Sequence, residues 1–264
     1  MDALCERPRV VAIGGPTATG KTALSVAMAR RFNGEIINAD SMQIYRELSV
    51  GTAKVMPEEQ RGVPHHLLDF LPPECTYSVA DFTTSASNVI SEITARGHLP
   101  FVVGGTGLYI TSLLNGVSFA PEKNDPQVRR KLQQEAAEQG PEVLYQRLKM
   151  LDPVYAAKVH PHNLPRVIRA LELYEITGRK MSEQQQNSRP STPPYRSLCL
   201  CLGYRDRSVL YRRIDQRVDQ MLEKGILAEA ELVWKNRERY RTAAQAIGYK
   251  EFFPYLEGKQ TLPE

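Results

Sequence analysis

The chain has 264 residues, enough for one large domain or for one domain carrying an insert. With 42% hydrophobic and 24% charged residues it is ordinary globular material, no apolar run approaches membrane-spanning length, and the N-terminus lacks a basic-then-apolar signal layout. The net charge of +4 is uneven: residues 1–122 carry −3 and residues 123–264 carry +7, so the second half suits a large polyanionic partner, or is simply a solvated basic surface.

The first predicted element is the β-branched run Val10-Val11-Ala12-Ile13, which leads through Gly14 into G-x-x-x-x-G-K-T. That loop comprises Gly15, Pro16, Thr17, Ala18, Thr19, Gly20, Lys21 and Thr22, and the residues from Ala23 to Met28 read as a helix behind it. Strand, glycine loop and helix start are the context a phosphate-binding loop requires. Loop N–H groups and the positive end of the helix dipole favour an anion there. Lys21 adds a point charge for terminal phosphates, and the Thr22 hydroxyl is placed to hold Mg²⁺. A di- or triphosphate ligand is expected.

Glu35 to Ala39 reads as the next strand, with Asp40, Ser41, Met42 and Gln43 at its carboxyl end. Ligands in open α/β sheets sit just beyond that end, which places Asp40 near the loop. Spacing alone leaves three readings open for Asp40: a functional carboxylate, a turn cap or a metal-holding aspartate. Residues 51–77 read as loop, broken by Pro57, Pro64, Pro72 and Pro73. His65 and His66 in it are taken as structural, since adjacent histidines in regular structure do not face one metal. Ser78-Val-Ala-Asp81 has the layout of a capping box opening a helix with Phe82, Ala86, Val89, Ile90 and Ile93 on its apolar face, stopped at Gly97. Leu99 to Val103 is a further buried strand. Gly104-Gly-Thr-Gly107 follows it, a second glycine turn that permits close approach of backbone to a ligand, and then a short helix runs to Asn115-Gly116.

From 120 to 195 the strand signals vanish. Asp125-Pro126, Pro141 and Asp152-Pro153 each open a helix, and Asn163 is a candidate cap for a fourth that ends at Gly178. Arg166 and Arg169 project from one side of that helix, where they either clamp phosphates or a base or merely solvate the surface. Gln184 to Pro194 reads as a flexible return. The strand pattern resumes at Leu198–Leu202, with Cys199 and Cys201 alternating inside it as core residues. Together with Cys5 and Cys75 they show no C-x-x-C spacing, so neither zinc nor a disulfide framework is indicated and a reducing cytoplasm fits. A long helix follows from Asp206 or Ser208, with Leu210, Ile214, Val218, Met221 and Leu222 expected on its buried side. Arg213 and Arg217 lie one turn apart beside that stripe. One of them neutralises a leaving diphosphate, or both pair with Asp215 and Asp219. Ala246–Glu251 closes a last helical stretch.

These segments together define an α/β fold: a P-loop-like, doubly wound, mainly parallel sheet formed by residues 1–119 and 196–264, interrupted by an α-helical insertion over 120–195. They also match one family in order. Gly15-Pro-Thr-Ala-Thr-Gly-Lys-Thr22, Ala39-Asp-Ser-Met-Gln-Ile-Tyr45, Gly51-Thr-Ala-Lys54, Pro64-His-His-Leu67, Val103-Gly-Gly-Thr-Gly-Leu-Tyr109, Arg166-Val-Ile-Arg-Ala-Leu-Glu172 and Ala246-Ile-Gly-Tyr-Lys-Glu251 span nearly the whole chain. The sequence resembles the bacterial tRNA dimethylallyltransferases, which attach an isopentenyl group to adenosine 37 beside the anticodon. The phosphate loop alone is shared with many enzymes, whereas the ordered set is highly specific.

The resemblance implies that the loop holds dimethylallyl diphosphate with Mg²⁺ on Thr22. It implies that Asp40 is the general base for the adenine N6 amine, and that Lys21 and Arg217 stabilise the leaving diphosphate. It carries tRNA contacts to Asp40, Ser41, Met42, Gln43, Thr106, Arg129, Arg166 and Arg169, and makes the insertion the tRNA-binding domain. The family's Gln-Arg-x-x-Arg reads Pro165-Arg-Val-Ile-Arg169 here, which removes the glutamine and keeps both arginines. Members usually continue into a basic, aromatic C-terminal helix, and this sequence stops at Thr261-Leu-Pro-Glu264. A cytoplasmic monomer with tRNA and dimethylallyl diphosphate as its partners is expected. The competing readings are a small-molecule kinase, which shares the phosphate loop and a helical lid, and a nucleotide-gated RNA-binding module without catalysis.

Overall fold

A computed structural model describes residues 7–119, 125–188 and 190–262; Cys5 lies outside them. The chain divides into two compact units, one formed by Met1–Asn115 with Pro193–Glu264, the other by Gly116–Thr192.

The first unit opens with β1 (Arg9–Gly14), α1 (Lys21–Arg31) and β2 (Gly34–Asn38). After α2 (Pro57–Gln60) and β3 (His65–His66) come α3 (Val79–Ala95), β4 (Leu99–Gly104) and α4 (Gly107–Leu114). All pairings are parallel, in the order β3-β2-β4-β1-β5, where β5 is the returning strand Arg196–Cys201. Alternate side chains serve the two faces. Val10, Ala12, Ile37 and Val102 pack with Phe82, Ile90 and Leu113 on the α3–α4 side, whereas Val11, Ile13, Ile36 and Phe101 pack with Val26 and Ala29 of α1. The expected capping box forms: Ser78 Oγ accepts from Asp81 N, and Asp81 accepts from Ser78 N at 2.8 Å. The Pro-rich loop is not wholly irregular. Its two histidines make an edge strand on β2, in register Ile36↔His65 and Ile37↔His66, which is too short to show a period.

The second unit is helical: α5 (Pro126–Gln139), α6 (Pro141–Leu151), α7 (Pro153–Ala156), α8 (Leu164–Thr177) and α9 (Met181–Asn187). Leu132, Leu144, Leu148, Val167 and Leu171 form its core. Asp125 caps α5 through Gln127 N. Asp152 caps α7 through Tyr155 N at 3.0 Å and also receives Ser182 N at 2.8 Å, which ties the start of α9 to α7. Asn163 occupies the cap position of α8 without a side-chain hydrogen bond. The expected flexible return is therefore partly helix, as α9 runs to Asn187.

Back in the first unit, β5 is followed by α10 (Arg207–Glu223), α11 (Ile226–Lys235) and α12 (Phe253–Leu256). Here three expectations fail. Cys199 and Cys201 are exposed, not core, because β5 is the sheet's edge, with β1 as its neighbour. Leu200 and Leu202 still pack on the α1 side, but Leu198 is 56% exposed. The apolar stripe of α10 covers nothing fully: the helix has no buried residue, and Val218 and Leu222 are exposed. Ala246–Glu251 is not an α-helix. Ala246 is extended and Gly248 has φ 99°, so the chain turns sharply there and delivers Tyr249 into a core with Tyr45, Leu48, Ala230 and Val233. No helix among the described residues is long and apolar enough to cross a membrane.

Candidate active site

Parallel register brings four strand ends to one edge. Gly14 pairs with Gly104 and with Cys201, and Asn38 with Val103, so the loops after β1, β2, β4 and β5 all leave together. Close approach demands glycine at two of these exits. A Cβ on Gly15 would stand 2.5 Å from the Leu202 carbonyl oxygen, and one on Gly104 would stand 2.1 Å from that of Ala39. The second glycine turn thus begins with a position that lets β4 meet the chain after β2, and the same Gly104 lines the cavity described below.

The loop after β1 uses left-handed backbone at Ala18 (φ 63°) and Gly20 (φ 87°), the latter capping α1. Such backbone gathers N–H groups around an anion. Lys21 Nζ donates to the carbonyls of Gly15 at 2.8 Å and Pro16 at 2.7 Å, and Thr19 Oγ1 to that of Pro16 at 2.8 Å, so the ammonium is held across its own loop. Tyr204, past β5, places its hydroxyl 3.4 Å from the Ala18 carbonyl, and its ring lies 5.7 Å from the Arg213 guanidinium.

Asp40 follows β2. Its Oδ1 accepts from Met42 N at 2.9 Å and Gln43 N at 3.4 Å, so the carboxylate does cap its own turn. Oδ2 lies 3.7 Å from where a Cβ on Gly105 would stand, so it is in van der Waals reach of the second glycine turn. Thr106 stitches the neighbouring loop to this turn: its Oγ1 accepts from Ser41 N at 3.0 Å, and its N–H reaches the Ala39 carbonyl at 3.2 Å. Gln43 Nε2 donates to the carbonyls of Thr52 and Ala53, each at 3.1 Å.

A cavity of about 820 Å³ joins these parts, within the size range of small-molecule sites. Lys21, Thr22, Asp40, Gln43 and Arg217 all line it, and so does Arg213. Burial lowers the pKa of Lys21, with the Arg217 charge adding to the effect and Asp40 opposing it. Burial likewise lowers that of Arg217, against the pull of Asp40 and Glu59. Arg217 Nε is buried with no hydrogen-bond partner among the described residues, a donor left waiting for an acceptor. Arg213 and Arg217, one turn apart on α10, thus both border the cavity.

Not every expected residue meets the cavity. Ser41, Met42 and Thr106 shape the turn behind Asp40 without lining it. Arg129, Arg166 and Arg169 belong to the helical unit, where Arg129 and Arg169 both reach Glu172 Oε2, at 3.1 and 3.0 Å. Sequence reasoning missed the part of the wall formed by Thr52, Ala53 and Val55, and the basic residues Arg30 and Arg61 that also border the cavity. Their only signal was the match at Gly51-Thr-Ala-Lys54, which by itself carries no chemistry. His65 lines the cavity too, while its Nδ1 bonds the Val63 carbonyl at 2.8 Å.

A parallel sheet whose first strand runs through this loop into a helix headed by Lys21 and Thr22 defines a P-loop-type α/β protein. The chain belongs to the IPP transferase family: the profile so described matches residues 43–264, and one described as isopentenyl transferase matches residues 8–70. It is 49% identical to a tRNA dimethylallyltransferase of Carboxydothermus hydrogenoformans over 97% of this chain and 82% of that protein. With the enzyme of that name from Geobacillus kaustophilus it shares 47% identity, over 97% of this chain and 81% of the other. Among solved structures it resembles the full-length tRNA isopentenylpyrophosphate transferase of Bacillus halodurans (TM-score 0.68, 43% identity, 97% of this chain and 80% of that one). It also resembles a eukaryotic dimethylallyltransferase described as acting on tRNA (TM-score 0.78, 36% identity, 96% of this chain and 64% of that one).

Proposed function

We propose that the protein transfers a dimethylallyl group from dimethylallyl diphosphate to the N6 amine of adenosine 37 in tRNA. The observation that carries this reading is one cavity lined by the Asp40 carboxylate, by Lys21 and by Arg217, whose buried Nε has no hydrogen-bond partner among the described residues. The two cations suit a departing diphosphate, and the carboxylate suits an incoming amine. As the amine nitrogen bonds the allylic carbon, the C–O bond to diphosphate breaks, and the amine proton passes to Asp40. Donors fixed in advance at a developing charge each contribute roughly 3–4 kcal/mol to such barriers. Lys21, Arg217 and the loop amides are those donors.

A diphosphate substrate makes a divalent ion of the Mg²⁺ type part of this reading, and Thr22, at the start of α1, lines the cavity with Asp40. Mg²⁺ characteristically keeps few protein ligands beside water and phosphate oxygens, and here the Thr22 hydroxyl would hold it. It would add positive charge at the leaving diphosphate.

Residues 1–119 and 196–264 are the catalytic core in this reading, and the insertion over 120–195 carries the RNA contacts through Arg129, Arg166 and Arg169. Asp40 and Gln43, which line the cavity, meet the flipped adenosine, while Ser41, Met42 and Thr106 support their turn as the tRNA-side scaffold. The +7 charge of residues 123–264 serves as the track for the RNA backbone. A monomer acting in the cytoplasm, where tRNA is modified, is part of this reading. Phosphoryl transfer is not favoured, since the named relatives are prenyltransferases.

The test is direct. Incubation with dimethylallyl diphosphate, Mg²⁺ and unmodified tRNA, followed by nucleoside mass spectrometry, should show prenylated adenosine at position 37. Absence of that product, or phosphate transfer from ATP in its place, overturns the reading.

A further inference from the structure

Part of the cavity wall is a stretch from Gln43 to Val55 in which Gln43, Thr52, Ala53 and Val55 line the cavity. It contains neither helix nor ladder strand, so its shape must be held from elsewhere. One carboxylate does this from behind. Glu229 of α11 accepts the N–H groups of Ser49 (2.8 Å) and Val50 (3.0 Å) on Oε2. On Oε1 it accepts Gly51 N–H (2.8 Å) and the Tyr249 hydroxyl (2.6 Å). Three successive backbone donors converging on one anion form a nest, filled here by the protein's own side chain. Such charge-assisted bonds are about twice as strong as neutral ones.

Tyr249 completes the clamp. It is fully buried, and burial first, then its bond to Glu229, pushes its pKa far up, so the phenol remains a donor. Its ring fills the space that a side chain on Gly51 would need, 2.5 Å from such a Cβ. The clamped turn leads straight to Thr52 and Ala53, whose carbonyls receive the Gln43 amide at 3.1 Å. Gln43 in turn adjoins Asp40 through its own backbone N–H.

We propose that Glu229 is a positioning residue for the acceptor side of the reaction. Through the amides of Ser49 to Gly51 it fixes Thr52 and Ala53, and through them Gln43, so that the incoming amine is presented squarely to Asp40. The proposal rests on the prenyl-transfer reading and deepens it. None of the hydrogen bonds recorded for Glu229 reaches residues 15–22, so its influence should fall on the acceptor and spare the diphosphate.

The experiment compares the parent chain with Glu229→Gln, varying tRNA and dimethylallyl diphosphate separately, alongside pyrophosphate binding and amide hydrogen exchange. The variant is expected to lose roughly 10–100-fold in kcat/KM for tRNA, the scale of a small misplacement of reacting groups. Its KM for the diphosphate and its pyrophosphate affinity should stay within about twofold, and exchange should quicken at residues 49–53 but not at 15–22. Unchanged kcat/KM for tRNA overturns the proposal, as does equal loss for both substrates with faster exchange at the phosphate loop. Should Glu229→Gln fail to fold, Tyr249→Phe, which deletes one donor and keeps the nest, should move the same tRNA parameter by roughly 3–10-fold; no change there is equally fatal. A parent chain that forms no product signals failure of the prenyl-transfer reading itself, and the clamp's role falls with it.

Discussion

The two ends of β2 carry two carboxylates that live in opposite conditions. At the amino end, Glu35 is 3% exposed and saturated: Arg96 donates to both oxygens at 3.1 and 2.9 Å, His66 Nε2 lies 2.6 Å away and His98 Nδ1 2.7 Å. The Arg96 hydrogen bonds lead in holding its pKa at about 2, against burial, with the two imidazoles assisting. Past the carboxyl end, Asp40 spends one oxygen on its own turn and lines a cavity that the cations Lys21 and Arg217 also line. A carboxylate with every lone pair taken by fixed donors holds a fold together. One with an oxygen to spare, in a cavity shared with a guanidinium whose Nε has no partner among the described residues, is available for chemistry.

Substitution at each end should expose that contrast. Asp40→Ala removes the proton acceptor and is expected to lower kcat by roughly 10²–10⁴-fold, the usual contribution of a positioned base. Pyrophosphate affinity, measured by calorimetry, should stay near the parent value. If both fall together, Asp40 is a binding group and not a base.

Glu35→Gln should do the reverse, leaving turnover per folded molecule intact while weakening the fold. A displacement from 4.5 to about 2 corresponds to something on the order of 3 kcal/mol. The folded-state pKa is the lower one, so this stabilisation is present above pH 4.5 and drains away as pH falls towards 2. Denaturant melts should therefore show parent and variant furthest apart near neutrality and converging through that acid window. A gap that stays constant with pH would mean that shape, not charge, ties Arg96, His66 and His98 to this end of the sheet.

What was legible in the sequence follows the same divide between local and distant causes. Gly15 to Thr22 could be read because loop, lysine and helix start are contiguous, and Asp40 because the end of a strand is a local event. Ser78 and Asp81 declared their helix for the same reason. The fate of Leu198, Cys199 and Cys201 depended on strand order: an alternating apolar run looks the same at the centre of a sheet and at its edge, and β5 is at the edge. Likewise the stripe from Leu210 to Leu222 specified a face of α10 but not a neighbour to cover it. Ala246–Glu251 looked helical until Gly248 is seen to turn Tyr249 inward, towards a carboxylate that clamps amides about 180 positions earlier in the chain. Arg217 could be preferred over its ion-pair reading only through family resemblance, since spacing alone treats Arg213 and Arg217 alike.

The smallest expected effect lies in the helical unit, where the contrast recurs among arginines. Arg129 and Arg169 share Glu172, a carboxylate whose side chain is only 4% exposed, so much of their charge is already answered. Removing either one strips a buried carboxylate of a partner, and lost RNA affinity there would be mixed with lost stability. Arg166 differs: it stands exposed in the first turn of α8, outside that cluster. Arg166→Ala should therefore leave thermal stability unchanged while flattening the log–log salt dependence of tRNA binding by about one, as expected for one phosphate contact. Fluorescence anisotropy at several salt concentrations measures that slope. An unaltered slope would remove Arg166 from the RNA track and leave the basic charge elsewhere in the second half to carry it, because a guanidinium that meets no phosphate releases no counterion.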